Sequence, residues 1–158
     1  MFNVNRKPKA PFIINDIMSL NVKTYHMDMP LDVIAADMLS FKCRAVMIVD
    51  DYSKPIGIIL DRDIELVCKQ KNIASRELVA KSIVQDKELY ICLKDDNVDI
   101  ALAIMNDRKV SRLPVTDNQG TLVGMLSITE IECCLEKGLL SEQVSYDFAL
   151  YTIKAIAS

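Results

Sequence analysis

The chain repeats itself. The stretch Lys42–Ile64 lies on Lys109–Ile131 when the sequence is shifted by 67 residues, without a gap. Asp28 meets Asp95, Asp32 meets Asp99, Ala36 meets Ala103 and Met38 meets Met105. Asp50 meets Asp117 and Gly57 meets Gly124, and apolar classes match throughout. A period of this length marks a tandem of small structural units, and so constrains the fold more than any local propensity does. One unit of about 55–60 residues would bury too little surface to be comfortably stable. Two units packed face to face are therefore expected, around a shared core.

Each unit reads helix, strand, turn, strand, helix. Pro30 suits a helix start, and Leu31, Ile34, Ala35, Met38 and Leu39 recur at helical spacing. Ala45–Val49 is a continuous apolar run, as expected of a strand in a covered sheet. A turn over 50–55 leads to a strand at Ile56–Leu60 and a helix from Asp61. In the second unit a strand is expected at Leu89–Leu93 and a helix at Val98–Asp107 with Asn97 as its cap. Strands at Leu113–Thr116 and Thr121–Leu126 flank the reverse turn 117–120, in which Gly120 tolerates positive φ. A helix follows at Ile128–Lys137, with Gly138 beyond its end. Val22–Tyr25 reads as a short strand, and Phe12–Met18 as a short element packing into the first unit. The second unit carries one extra residue before its first strand. Five segments result: an arm over 1–13, repeats over 14–70 and 79–138, a linker over 71–78, and a last segment over 139–158. That last segment reads as a helix capped by Ser141, with Val144, Phe148, Tyr151 and Ala155 on one face. It is expected to pack back on the repeats or to join a dimer contact.

A net charge of −3 argues against a dedicated nucleic-acid binder, which carries a basic excess. No apolar run approaches the roughly 20 residues needed to span a bilayer, and the start has no secretory pattern. The five cysteines are odd in number and none forms a C-x-x-C pair, so a reducing cytoplasm fits better than a disulfide framework. Cys133 and Cys134, about 100° apart on a helix, read as small core-facing residues. His26 has no clustered partner for a metal and reads as a satisfied or surface histidine. Neither a nucleophile–base pair, a phosphate-binding glycine loop nor a metal cluster is visible, so catalysis is not expected.

The motifs Asp16–Ser19, Asp28–Val33, Arg44–Asp50 and Gly57–Ile64 stand in the first repeat. Asp95–Ala101, Ser111–Asp117 and Gly124–Ile131 stand in the second. In order, spacing and duplication they resemble a tandem pair of CBS domains, the regulatory modules named from cystathionine β-synthase, over roughly residues 14–137. The resemblance implies an α/β (α+β) fold of two pseudo-symmetric repeats, each a small sheet with two packing helices. It implies a free-standing, non-catalytic sensor that binds an adenosine-containing ligand (AMP, ADP, ATP or S-adenosylmethionine) and signals to a separate effector protein. It also implies a homodimer through helical faces that would include Leu31, Ile34, Met38, Ile64, Val67, Ala101, Met105, Ile131, Cys134 and Leu135.

The family motif runs glycine, apolar, any residue, Ser/Thr, two residues, Asp. A carboxylate there can accept charge-assisted hydrogen bonds from ribose hydroxyls. Both repeats depart from it. The first keeps Asp63 but has Leu60 at the hydroxyl position; the second keeps Ser127 but has Glu130 at the acid position. Ser127 and Glu130 equally form a capping box, and Asp63 equally suits a helix N-terminus. Arg44 and Arg112, with Ser111, are the expected phosphate contacts, ahead of Lys42 and Lys109. Adenine would lie against Val22, Thr24, Val46 and Ile48, or against Leu89, Ile91, Leu113 and Val115. The alternative reading is a ligand-free dimeric scaffold in which both motifs are only helix caps.

Overall fold

The computed structural model describes residues 12–140 and 142–157, with the side chains of 155–157 excepted. The arm over 1–11, the Ser141 cap and the side chain of Ala155 lie outside the described residues. The first repeat holds β1 (Thr24–His26), α2 (Leu31–Phe41), β2 (Ala45–Val49), β3 (Pro55–Leu60) and α3 (Asp61–Lys71), preceded by the short helix α1 (Ile14–Ile17). A 3-10 turn at Ser75–Glu77 and the short helix α4 (Lys81–Val84) lead to the second repeat. That repeat holds β4 (Cys92–Leu93), α5 (Val98–Arg108), β5 (Arg112–Thr116), β6 (Leu122–Ser127) and α6 (Ile128–Glu136), and α7 (Glu142–Ala157) follows.

Each repeat builds a three-stranded sheet in which the first strand pairs parallel and the hairpin antiparallel. The registers are copies: Tyr25 opposes Ile48 as Cys92 opposes Val115, and Ile48 opposes Gly57 as Val115 opposes Gly124. The hairpin turns are copies too. Asp50 Oδ1 accepts the N–H groups of Tyr52 and Lys54, and Asp117 Oδ1 accepts those of Gln119 and Thr121, all at 2.9 Å. The two turns touch, since the Leu122 N–H donates to the Ser53 carbonyl at 3.0 Å.

The buried side chains form two clusters, not one shared core, and each contains a segment from across the pseudo-symmetry. Leu78, Ala80, Ile83 and Val84, which lead into the second repeat, are buried in the core of the first. Ile14, with Phe12, Ile17 and Met18 against it, belongs to the core of the second. The expectation that Phe12–Met18 packs on the first repeat is thereby corrected. The crossing is tied by backbone: Ser19 and Met125 exchange both N–H···O bonds, at 2.8 and 3.0 Å. It also explains the paired glycines. A Cβ on Gly57 would lie 2.3 Å from Val84 Cγ1, and one on Gly124 would lie 2.7 Å from Met18 Sδ. The incoming segments need that bare backbone to approach each sheet.

Other expectations shift. The first strand of each repeat is shorter or later than expected: β1 covers Thr24–His26 and β4 only Cys92–Leu93. Cys133 is exposed and Cys134 half-buried, so neither is a core residue; the inward positions of α6 go to Ile131 and its neighbours. α7 packs along α5, with Val144 buried and Phe148 and Tyr151 against the second core. His26 sits between two carboxylates, its Nδ1 3.3 Å from Asp28 and its Nε2 2.7 Å from Asp51.

Candidate functional site

A cleft of about 250 Å³ opens between the repeats. One wall is β3 and the start of α3, contributing Gly57, Ile58, Leu60, Arg62 and Asp63. The other comes from the second repeat: the segment 87–90 after α4 and the segment 109–113 entering β5. The crossed packing of α4 explains this pairing. Because Ile83 and Val84 are held in the first core, the residues that follow them pass directly over Asp63.

Asp63 is the most constrained polar group of the cleft. Its side chain is only 13% exposed. Oδ2 accepts the Leu60 N–H at 2.8 Å, which satisfies one donor at the start of α3. Oδ1 faces Lys87 Nζ at 3.0 Å. Leu60, lacking an acceptor, cannot return a bond to the helix, so this cap is one-sided. Among the described residues, the cleft around the carboxylate is lined by four cations (Arg62, Lys87, Lys109 and Arg112) and one further acid, Glu88. The Tyr90 hydroxyl donates to Glu88, while the Arg108 guanidinium lies 4.9 Å from the Tyr90 ring centre. The bond to Glu88 raises the Tyr90 phenol above its ordinary value. A cleft of this kind can hold a polar ligand with hydroxyls at one end and negative charge at the other.

The equivalent motif of the second repeat is closed on itself. Glu130 Oε2 accepts the Ser127 N–H at 2.7 Å, and the Ser127 hydroxyl donates to the same carboxylate. Ser127 is almost fully buried. Both groups that the motif offers a ligand are thus engaged with each other.

The structure regroups the residues singled out in the sequence. It brings Asp63 together with Ser111, Arg112, Leu113, Lys109 and Leu89. It does not bring Arg44 to Asp63. Arg44 is largely exposed with Nε 4.0 Å from the Asp61 carboxylate, and with Lys42 it lines a separate groove between α2 and α3. Thr24 is exposed on β1, and the side chains of Val46, Ile48, Leu113 and Val115 are core. Lys87, Arg62, Glu88 and Tyr90 were missed. No local signal marks Lys87; only the crossing of α4 carries it to Asp63.

The family model for the CBS domain matches residues 14–67 and 80–132. The chain belongs to the CBS domain family, as a pair of such domains. Among curated proteins, an uncharacterized protein of Methanopyrus kandleri is 31% identical over 103 residues, which is 62% of this chain and 50% of that protein. The homoserine O-acetyltransferase of Methanohalophilus mahii is 27% identical over 79% of this chain and 25% of its own length. The inosine-5'-monophosphate dehydrogenase of Thermoplasma acidophilum is 26% identical over 79% of this chain and 23% of its own. The chain thus spans half or less of these curated relatives.

Solved structures share the fold. A CBS domain protein of unknown function from Thermoplasma acidophilum has a TM-score of 0.71 at 20% identity, over 90% of this chain and 77% of that one. A CBS domain pair in complex with 5'-methylthioadenosine and S-adenosylmethionine has a TM-score of 0.68 at 22% identity, over 82% and 99%. A further protein, in complex with AMP, has a TM-score of 0.67 at 17% identity, over 80% and 98%. Among the described residues no helix is long and apolar enough to cross a membrane.

Proposed function

We propose that the chain is a non-catalytic sensor whose inter-repeat cleft binds an adenosine-containing ligand, AMP, ADP, ATP or S-adenosylmethionine. The observation that carries the reading is Asp63: a carboxylate held mostly out of solvent, at the motif position for ribose, facing a cleft rimmed by Lys109 and Arg112. Ser111 completes that wall, with Leu89 as apolar surface for the base. Support comes from the complexes of two structural relatives with adenosine compounds. The module acts in the cytoplasm, and ligand binding is passed to a separate effector protein. The two enzymes named above are matched over only about a quarter of their lengths, as an accessory module would be.

Titration calorimetry with AMP, ATP and S-adenosylmethionine tests this. Saturable binding is expected, lost in Asp63→Ala and kept in Ser127→Ala. A ligand that prefers the native state also raises the melting temperature. No binding by a folded sample would sink the sensor reading.

The proposal includes a homodimer, but not through the expected side chains. Leu31, Ile34, Met38, Ile64, Val67, Ala101, Met105 and Ile131 are inside the two cores. On the outer faces of α2 and α3 the exposed apolar residues are Val33, Leu39, Phe41 and Leu66. A sedimentation-equilibrium mass of one chain at micromolar concentration would remove this part. For the second motif, the closed Ser127–Glu130 pair favours the ligand-free reading, with the pair acting as a cap. A binding stoichiometry of two ligands per chain would overturn that.

A further inference from the structure

An ion pair stands in the cleft where the ribose of the proposed ligand would bind. Asp63 has little open surface, and on its cleft side the Lys87 ammonium stands 3.0 Å from Oδ1. Its other oxygen is tied to the Leu60 N–H. Ribose hydroxyls that approach the carboxylate from the cleft therefore compete with Lys87 for Oδ1. Lys87 can withdraw: its side chain is half exposed and lies on the irregular segment between α4 and β4. Withdrawal leaves an ammonium without its carboxylate beside Arg62, Lys109 and Arg112. Among the described residues the other acid lining the cleft, Glu88, is already engaged by the Tyr90 hydroxyl.

We propose that Lys87 is a specificity-determining residue: a tether on Asp63 that is displaced by ribose and recaptured by a ligand phosphate. The inference rests on the reading of the cleft as an adenosine site. A phosphorylated nucleotide supplies the released ammonium with a new anion, and charge-assisted bonds to it offset the lost pair. A neutral nucleoside leaves the ammonium unpaired. A sulfonium ligand adds a positive charge to a cleft where cations already exceed acids. The cleft is thus selective for phosphorylated adenosine ligands over uncharged or cationic ones.

The test is calorimetric titration with AMP, adenosine and S-adenosylmethionine, on the wild-type chain and on Lys87→Met, with melting curves as a check on folding. The wild type is expected to prefer AMP to adenosine by about tenfold or more, the size of one charged hydrogen bond. In Lys87→Met adenosine binds more tightly and AMP more weakly, so the preference falls about tenfold. Lys87→Arg keeps the preference. Raising the salt concentration weakens AMP binding but not adenosine binding. AMP binding with an unchanged AMP-to-adenosine ratio in a folded Lys87→Met variant overturns the tether and leaves the adenosine site standing. Absence of binding by every ligand in the wild type overturns both.

Discussion

The two helix starts that face the repeat boundary are copies in backbone and opposites in chemistry. At α3, Leu60 and Asp63 occupy the motif; at α6, Ser127 and Glu130 do. In both, the acid three residues into the motif accepts the N–H of the residue preceding the helix, at 2.8 and 2.7 Å. The longer Glu130 side chain also meets the Ser127 hydroxyl, so that pair is complete. The shorter Asp63 finds no hydroxyl, and its second oxygen turns to Lys87. A missing hydroxyl in one repeat and an extra methylene in the other thus separate a self-contained pair from a carboxylate paired with a lysine across the repeat boundary.

The glycines offer the harshest way to break the symmetry. In Gly57→Ala the new Cβ meets the stiff, β-branched Val84 at 2.3 and 2.5 Å. In Gly124→Ala it meets the flexible Met18 Sδ at 2.7 Å and the Ser19 carbonyl at 2.9 Å. Overpacking of this sort costs about 3 kcal/mol at Gly57 and about 2 kcal/mol at Gly124, read by urea unfolding. Equal costs would mean that the two crossed segments yield alike.

The caps come next. Ser127→Ala removes a complete cap and should destabilise by about 1 kcal/mol, whereas Leu60→Ser supplies the missing acceptor and should stabilise by about 0.5 kcal/mol. A loss on Leu60→Ser would show that its apolar contacts outweigh the cap.

A smaller contrast lies in the hairpin turns. Ser53 has φ 61° where its counterpart Gly120 has φ 83°. Ser53→Gly relieves a left-handed residue but loosens the unfolded chain, and a gain of a few tenths of a kcal/mol is expected in thermal melts. Gly120→Ala loses about 1 kcal/mol.

The last contrast shows only at high pH. Tyr25 and Cys92 are counterparts on β1 and β4, and burial, joined for Tyr25 by its bond to Asp37, pushes each up to about 12. Their ordinary values are 10.0 and 9.0. The unfolded chain therefore loses these protons first. Stability from both is full below pH 9 and falls as pH rises toward 12. Cys92→Ser should start the decline nearer pH 10, and Tyr25→Phe should leave the part that begins near 9. An unshifted onset in Cys92→Ser would show that the thiol does not contribute.

The repeat, the order of elements, both hairpin turns and the Ser127–Glu130 box were legible in the sequence. The turns and the box rest on residues a few positions apart: Asp50 with Lys54, Asp117 with Thr121, Ser127 with Glu130. Periodicity also set out the faces of α2, grouping Leu31, Ile34 and Met38, which are buried, with Leu39, which is exposed. It could not say what those faces meet. Phe12–Met18 and Leu78–Val84 are short apolar segments that either core could bury with the same loss of exposed surface. Which core takes them depends on the direction in which each chain segment enters the sheet, a property of the packed pair. From that one decision follow the glycine contacts, the cleft shared by Asp63 with Ser111 and Arg112, and the separation of Arg44 from it. Local chemistry by itself determined the elements and the candidate groups. Only the tertiary structure decided which groups stand together, because hydrophobic burial is non-directional while the crossing of two segments is not.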